Sequence, residues 1–460
     1  MLRRALLVVA CGALAAGSAM AGPTDPAGGS PRAIGRAGVS AVSDDGAGAL
    51  QINPAGIARR ESWRIQLGIG FLDDATAWTA KNAPVSRDQA GTTLAPTIGV
   101  VGAFGSWIVG AGVMTSGAME RAFRDPADVP TASIHPVLGR RVFEYRYAGI
   151  AAGYRRDTLV LGVARRVTDT VAVGLSTGLS RIGAYETRRM WVGFENAVQM
   201  GLDNPVRDLQ VALDGDTIVP HATLGTLVAP EDTPLELGLS IGWVKRPRIE
   251  GSISGATFGP EEDAPVFRAT SPTASLILRQ PIAIHAGARY VGERFTVEIG
   301  GDLWLASQKA RKVAWELTGV RVANSPQQGS IETELDGVPS RYSLRSHGAI
   351  RVAGDVEIIS GFLWGTAGYA YTVGGTTESR LSPTFGDLGG HTIALGIEGT
   401  KGGVTYTIGW SRTVSKVRSR ESELRLDNPF GAGDTFVPDG SYDASADHVG
   451  VLLDLELDAP

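Results

Sequence analysis

Val449-Gly-Val-Leu-Leu-Asp-Leu-Glu-Leu457 reads as a half-buried strand, and the fold follows from this pattern. Val449, Val451, Leu453, Leu455 and Leu457 fall on one face, while Gly450, Leu452, Asp454 and Glu456 fall on the other. A period of two with one apolar and one polar or small face marks a strand whose two sides meet different surroundings. Upstream, Val404, Tyr406, Ile408 and Trp410 alternate with Thr405, Thr407, Gly409 and Ser411. The same split recurs over 171–179, 235–243 and 392–398. A soluble sandwich alternates too, so the pattern alone leaves open which face is wet.

The connections separate the two. Short links at Phe104-Gly105-Ser106, Thr168-Asp169, Glu231-Asp232, Gly292-Glu293-Arg294 and Gly354-Asp355 take turns with long polar stretches. The long ones lie near 73–91, 116–141, 190–216, 257–272, 308–340, 374–389 and 417–443. Short periplasmic turns alternating with long external loops are the layout of outer-membrane barrels. So many long loops are out of place in a compact soluble domain. Strands are predicted over 62–72, 92–104, 106–115, 142–167, 170–188, 217–229, 234–256, 273–291, 295–307, 341–353, 356–373, 390–400, 403–416 and 446–457. Splitting the fourth at Arg156-Asp157 would give an odd total, against the even numbers of single-chain bacterial barrels, so it stays whole. The predicted class is all-β, a transmembrane antiparallel barrel of about fourteen strands. Many of these strands exceed the ~10 residues needed to cross a bilayer, so the walls should rise above it.

Composition agrees. No stretch past the N-terminal region approaches the ~20 apolar residues of a membrane helix. The net charge of −5 argues against nucleic acid as a partner. The 61 glycines lack a collagen period and fall inside strand-like segments, where glycine marks bends, bulges or close backbone approach. Arg3 and Arg4 precede the apolar run 5–16, and Ala19-Met20-Ala21 offers small residues for cleavage. This is a secretory signal over 1–21, with the mature chain expected from Gly22. Cys11 after Val8-Val9-Ala10 also loosely fits a lipoprotein box, with a very short apolar core before it. Cys11 is the only cysteine, so after cleavage at Ala21 the mature chain has no disulfide, thiolate nucleophile or cysteine metal ligand.

Between the signal and the first strand runs Ser30-Pro-Arg-Ala-Ile-Gly-Arg-Ala-Gly-Val-Ser-Ala-Val-Ser-Asp-Asp-Gly46, leading to Asn53-Pro54-Ala55-Gly56. Asn53 can cap a short helix that starts at Pro54, where a missing N–H costs nothing. The tetrapeptide also fits an ordinary Asn-Pro loop turn. Further landmarks are Pro96, the hairpin 166–175, Leu237–Trp243 running to Glu250-Gly251, and Gln280-Pro281 through Tyr290. Trp304-Leu-Ala-Ser307, then Ser382-Pro383 and Asp387 ahead of His391, complete the order. In that order the chain resembles the outer-membrane long-chain fatty-acid transporter family, the FadL type, over nearly its whole length. The resemblance implies a plug over 22–60 carrying Asn53, Pro54 and Ala55, and a barrel over 61–460. It also implies a monomer in the Gram-negative outer membrane, touching its lipids and lipopolysaccharide. One departure is the end, Leu457-Asp458-Ala459-Pro460, where the family carries an aromatic residue read during assembly.

No enzyme is expected. Gly174-Leu-Ser176-Thr-Gly178 and Gly238-Leu-Ser240-Ile-Gly242 match a hydrolase motif, yet both fall mid-strand rather than at a strand–turn–helix elbow. Ser176 and Ser240 read as lumen-lining positions. The six histidines show no ligand spacing, and no metal or cofactor is expected. The acidic run at 261–263 reads as solvated, with divalent cations near head groups as the alternative. By parity Arg188 points into the lumen with Ser176, and Lys312, extrapolated from Thr296 and Glu298, points inward as well. The resemblance implies that a basic residue at each of these strand tops holds a ligand carboxylate. Arg188 matches one counterpart, while the other falls on Val313, leaving Lys312 or Arg311 as its substitute. The alternative is that Arg188 and Arg189 face lipopolysaccharide phosphates. The expected function is passive uptake of hydrophobic compounds, long-chain fatty acids first. The rival is a structural or secretion-associated barrel of the same fold.

Overall fold

The computed structural model describes residues 30–80, 85–123, 147–192, 208–257, 264–326, 330–418, 422–424, 427–430 and 440–457. Residues 1–29, where an export signal and the start of the mature chain are expected, and the acidic run at 261–263 lie outside them. Fourteen wall strands close into an antiparallel barrel. They are β1 Trp63–Ala80, β2 Thr93–Phe104, β3 Trp107–Ala122, β4 Ala151–Arg166, β5 Val171–Trp191 and β6 Asp208–Val228. Four interrupted strands follow. These are β7 (Leu235–Val244, Arg248–Thr257), β8 (Val266–Ile277, Ile282–Val291), β9 (Phe295–Leu305, Ala314–Ala323) and β10 (Glu332–Glu334, Gly337–Pro339, His347–Ile359). The wall ends with β11 Leu363–Val373, β12 Gly389–Lys401, β13 Val404–Arg418 and β14 Gly440–Leu457. β14 returns to β1 from Trp63↔Leu457 to Ala80↔Gly440. Closure pairs the strand edges around most of the wall, as a lipid interior requires.

Six hairpins are short and share one end. At Gly402-Gly403 both residues have positive φ, 59° and 77°, the geometry of a tight two-residue hairpin. One predicted turn is corrected. Gly354-Asp355 lies mid-strand, paired with Val297 and Thr296, and β10 continues to Ile359 before turning at Gly361, φ 66°. Asp355 is a lumen residue holding a partner from far along the chain, which mimics a turn residue in the local sequence.

The breaks in β7 to β10 fall side by side at 245–247, 278–281, 306–313 and 340–346. Pro247 and Pro281 stand in the first two, where the missing N–H cannot join a ladder. Extrapolating side-chain parity from Thr296 to Lys312 assumed an unbroken strand, so it does not carry past Leu305. The outer face is apolar: Leu67, Ile69 and Phe71 on β1, Leu237, Leu239 and Ile241 on β7, and Leu395 and Ile397 on β12 are all exposed. Such a continuous apolar surface needs a hydrocarbon partner. Among the described residues no helix is long and apolar enough to cross a membrane; strands form the apolar wall.

Candidate functional site

The inward faces are small or polar because residues 30–60 fill the barrel. Two short helices, α1 Pro31–Ile34 and α2 Ala49–Ile52, precede a 3-10 turn over Pro54–Arg59. Asn53 caps that turn, its Oδ1 accepting from Ala55 N at 3.3 Å. Its Nδ2 donates to Ala41 O (2.8 Å) and to Thr226 O of β6 (3.1 Å), so the cap also fastens the segment to the wall. Ser176 Oγ donates to Leu50 O at 2.6 Å, and Ser240 Oγ donates to Ile52 O. The two hydrolase-like serines are thus anchors for backbone carbonyls. A Cβ at Gly238 would approach Ala41 O to 2.5 Å, and one at Gly409 would approach Pro31 O equally. Only glycine allows that contact.

Charge fixes the segment at its centre. Arg36, 2% exposed, donates Nη2 to Glu298 Oε2 at 3.0 Å and Nη1 to Asp355. Glu298, wholly buried, also accepts from Val42 N at 2.9 Å. Arg351 pairs with Asp302 and donates to Ala37 O (2.7 Å), and Arg59 meets Glu236 at 2.7 Å. Within the segment, burial pushes the Asp44 carboxyl up to about 6, with only the Gly46 N–H and distant arginines opposing it. Its neighbour Asp45 is also penalised by burial, but Arg60 and Arg32 hold it below the usual carboxylate value.

Near the long-loop end a second buried cluster caps the lumen. Arg188 is 1% exposed, its Nε 3.1 Å from Asp427 and its Nη1 3.4 Å from Glu186. Arg341, a partner that sequence reasoning missed, shares Asp427 at 3.3 Å and donates to Tyr147 O. Arg189 pairs with Asp208. Lys312 and Arg311 are exposed in the β9 break, apart from this buried cluster. Arg188 therefore already has two carboxylates, and Lys312 does not join it.

Between plug and cap lie two cavities. One, about 620 Å³ to its open mouth, is bounded below by Gln51 and around by Ser116, Arg156, Thr158, His221 and Trp304. The other, about 790 Å³, lies against residues 34–38 and reaches Thr93, Ala95, Thr115 and Ala118. There the wall opens. β2 and β3 pair only from Thr97↔Met114 to Phe104↔Trp107, and above this β3 pairs with β4 alone, past a bulge at Ser116. The chain at 88–90 bridges the top of the resulting window, with Gln89 N donating to Ala122 O at 2.7 Å. Thr93 and Ala118 also line a recess of about 810 Å³ shared with Glu120, Arg155 and Tyr185. The window thus joins the lumen to the side of the barrel, and Arg155 spans it by donating to Leu94 O at 3.1 Å.

No protein-family model matches the sequence, and no curated protein matches it. Solved structures do match. A FadL homologue of Pseudomonas aeruginosa superposes with a TM-score of 0.70 at 14% identity, over 96% of this chain and 100% of that one. The toluene transporter TodX of P. putida gives 0.64 at 14% identity, over 93% and 98%. The toluene transporter TbuX of Ralstonia pickettii gives 0.61 at 13% identity, over 94% and 97%. At such identities the likeness speaks for the backbone arrangement, which is shared along nearly the full length: this chain has the FadL/TodX-type fold.

Proposed function

We propose that the protein is an outer-membrane channel for passive uptake of hydrophobic compounds, long-chain fatty acids among them. The observation that carries this reading is the window between β2 and β3, where Thr93 and Ala118 line both the inner cavity and the lateral recess. A solute leaving there reaches the side of the barrel without crossing the segment packed below. The comparison structures described as toluene transporters support the cargo class. On this reading the chain is exported by its signal over 1–21, residues 22–60 form the plug with Asn53, Pro54 and Ala55 at its wall contact, and 61–460 form the barrel. It works as a monomer, each barrel holding a complete lumen of its own, with its apolar belt in membrane lipid and its long-loop end toward lipopolysaccharide. A fatty-acid carboxylate entering at that end meets Arg188 by exchanging with Asp427, while Lys312 and Arg311 offer a first contact outside the cluster.

The test is uptake of labelled oleate and toluene by cells with and without the protein, and with Ser116 deleted. Removing the extra residue at the bulge lets β3 pair further with β2 and narrows the window. Uptake of both compounds is expected to rise with the protein and to fall on deletion, in barrels that still assemble. Equal uptake with and without the protein makes it a structural barrel instead.

A further inference from the structure

Arg156 is a lumen cation for which no carboxylate stands in salt-bridge range among the described residues. It projects inward from β4 with Thr158, and its Nε donates to Ser180 Oγ at 3.1 Å. Among the described residues no carboxylate lies in salt-bridge range of it, and its two terminal nitrogens have no hydrogen-bond partner. Both Arg188 and Arg36, by contrast, are held by two carboxylates each. Beside Arg156 stands His221 of β6, 5% exposed, whose Nδ1 is 3.2 Å from the same Ser180 Oγ. Its Nε2 is buried with no partner. Because Ser180 accepts from Arg156, its own proton is free to go to His221 Nδ1, which leaves the neutral ring with its N–H on Nε2. Two donors from different strands, oriented by one hydroxyl, thus line one cavity.

The rest of that cavity changes character around the wall. On β3, β4 and β6 it is polar, with Ser116, Thr158 and Thr223 beside Arg156 and His221. On β7, β8 and β9 it presents Val244, Pro281, Ala283 and Trp304, with the polar groups of Gln280 and His285 there already engaged by Tyr154 and Asp302. Trp243, 48% exposed on the outer face, also borders it where β7 and β8 lose their pairing. A polar side with an unmatched cation and an apolar side reaching the wall fits an amphipathic anion.

We propose that Arg156 and His221 form the lumen site for the carboxylate of a fatty acid, with its alkyl chain along Val244, Pro281 and Trp304. This deepens the uptake reading and rests on it for the cargo class. Two charge-assisted or buried donors converge on the carboxylate, a strong arrangement in a partly dry site. The site also touches the plug: Gln51 Nε2 donates to Ser116 Oγ (2.6 Å), which donates to Thr158 Oγ1 (2.6 Å), itself 3.1 Å from Ser180 Oγ.

The experiment uses the purified full chain in a non-ionic detergent and reads quenching of Trp304 by 12-bromododecanoate and by uncharged 12-bromododecanol. A Trp304→Phe protein identifies the signal. Arg156→Gln is expected to weaken dodecanoate binding about ten- to a hundredfold, the loss of one charged hydrogen bond, with the alcohol unchanged. Arg156→Lys keeps the charge and is expected to stay within a few-fold of the parent; it also serves if the Gln variant does not assemble. Equal losses for acid and alcohol, or no loss for either, overturn the site. Cell uptake of oleate is measured alongside. Protein-dependent uptake that is indifferent to Arg156 overturns the site and keeps the channel. Intact Arg156-dependent binding with no uptake keeps the site and overturns the channel.

Discussion

Arg36 illustrates how much a single side chain decides here. Its guanidinium satisfies Glu298 and Asp355 on two different wall strands and accounts for the fixed position of residues 36–42. Replacing it by Ala leaves Glu298, wholly buried, without its counter-charge, a loss on the order of 3–5 kcal/mol. Arg36→Ala is therefore expected to loosen the plug while the wall persists. Entry of a small hydrophilic dye into cells or liposomes should rise, and adding Glu298→Gln should reverse part of the rise. An unchanged leak would mean that the segment is held by its backbone contacts alone. Asn53 works on the same scale as a cap and a wall contact together, which explains why one residue stands at that turn.

Two elements carry their own tests. In the plug, Asp44 has a raised value near 6 against an ordinary 3.8. Between roughly pH 4 and 6 the docked plug holds a proton that the free segment releases, so docking weakens as pH rises through that window and stays weaker above it. Measured against a fully exposed cysteine at the same pH, which cancels the rise of thiolate with pH, a cysteine at Ala49, fully buried, is expected to be relatively better labelled at pH 7.5 than at pH 5, and Asp44→Asn should remove that relative difference. Labelling that accelerates toward low pH would contradict the sign. At the window, Arg155 ties β2 to β3 through Leu94 O and Thr115 Oγ1. It is 43% exposed, so such a tie contributes at most about 1 kcal/mol. Arg155→Ala is expected to raise uptake of an apolar solute by no more than a few-fold; a fall would mean that the residue guides cargo rather than restraining the wall.

At the scale of the whole molecule, closure makes the wall one cooperative unit, since each strand's backbone groups are paired on both sides over most of their length. The protein extracted in mild detergent is expected to give β-dominated circular dichroism and to migrate differently on gels before and after boiling. Helical content beyond the short segments α1, α2 and the 3-10 turns would contradict this. Residues from the breaks in β9 and β10, Ala310, Val313, Tyr342 and Leu344, pack with Trp315 and Phe385 in one buried apolar cluster. Residues 30–60 pack below the cavities, and the side window becomes the path that the uptake reading depends on.

The sequence alone determined what depends on local geometry. Period-two alternation is a property of the extended backbone, so the faces of Val404–Ser411 and Val449–Leu457 were legible, as was the wholeness of the fourth strand through Arg156-Asp157. The cap at Asn53 was legible because capping joins neighbours in the chain. Only the tertiary structure decided which charges meet. Arg36 finds Glu298 and Asp355 across 262 and 319 residues, and no local pattern marks such pairs. For the same reason Gly354-Asp355 looked like a turn, and no local pattern placed Asp427 beside Arg188. Arg156 lies on a strand legible in the sequence, yet its lack of a carboxylate among the described residues is a statement about every strand facing it. Parity is written in the covalent chain, whereas neutralisation is settled by which strands the closed barrel brings around one lumen.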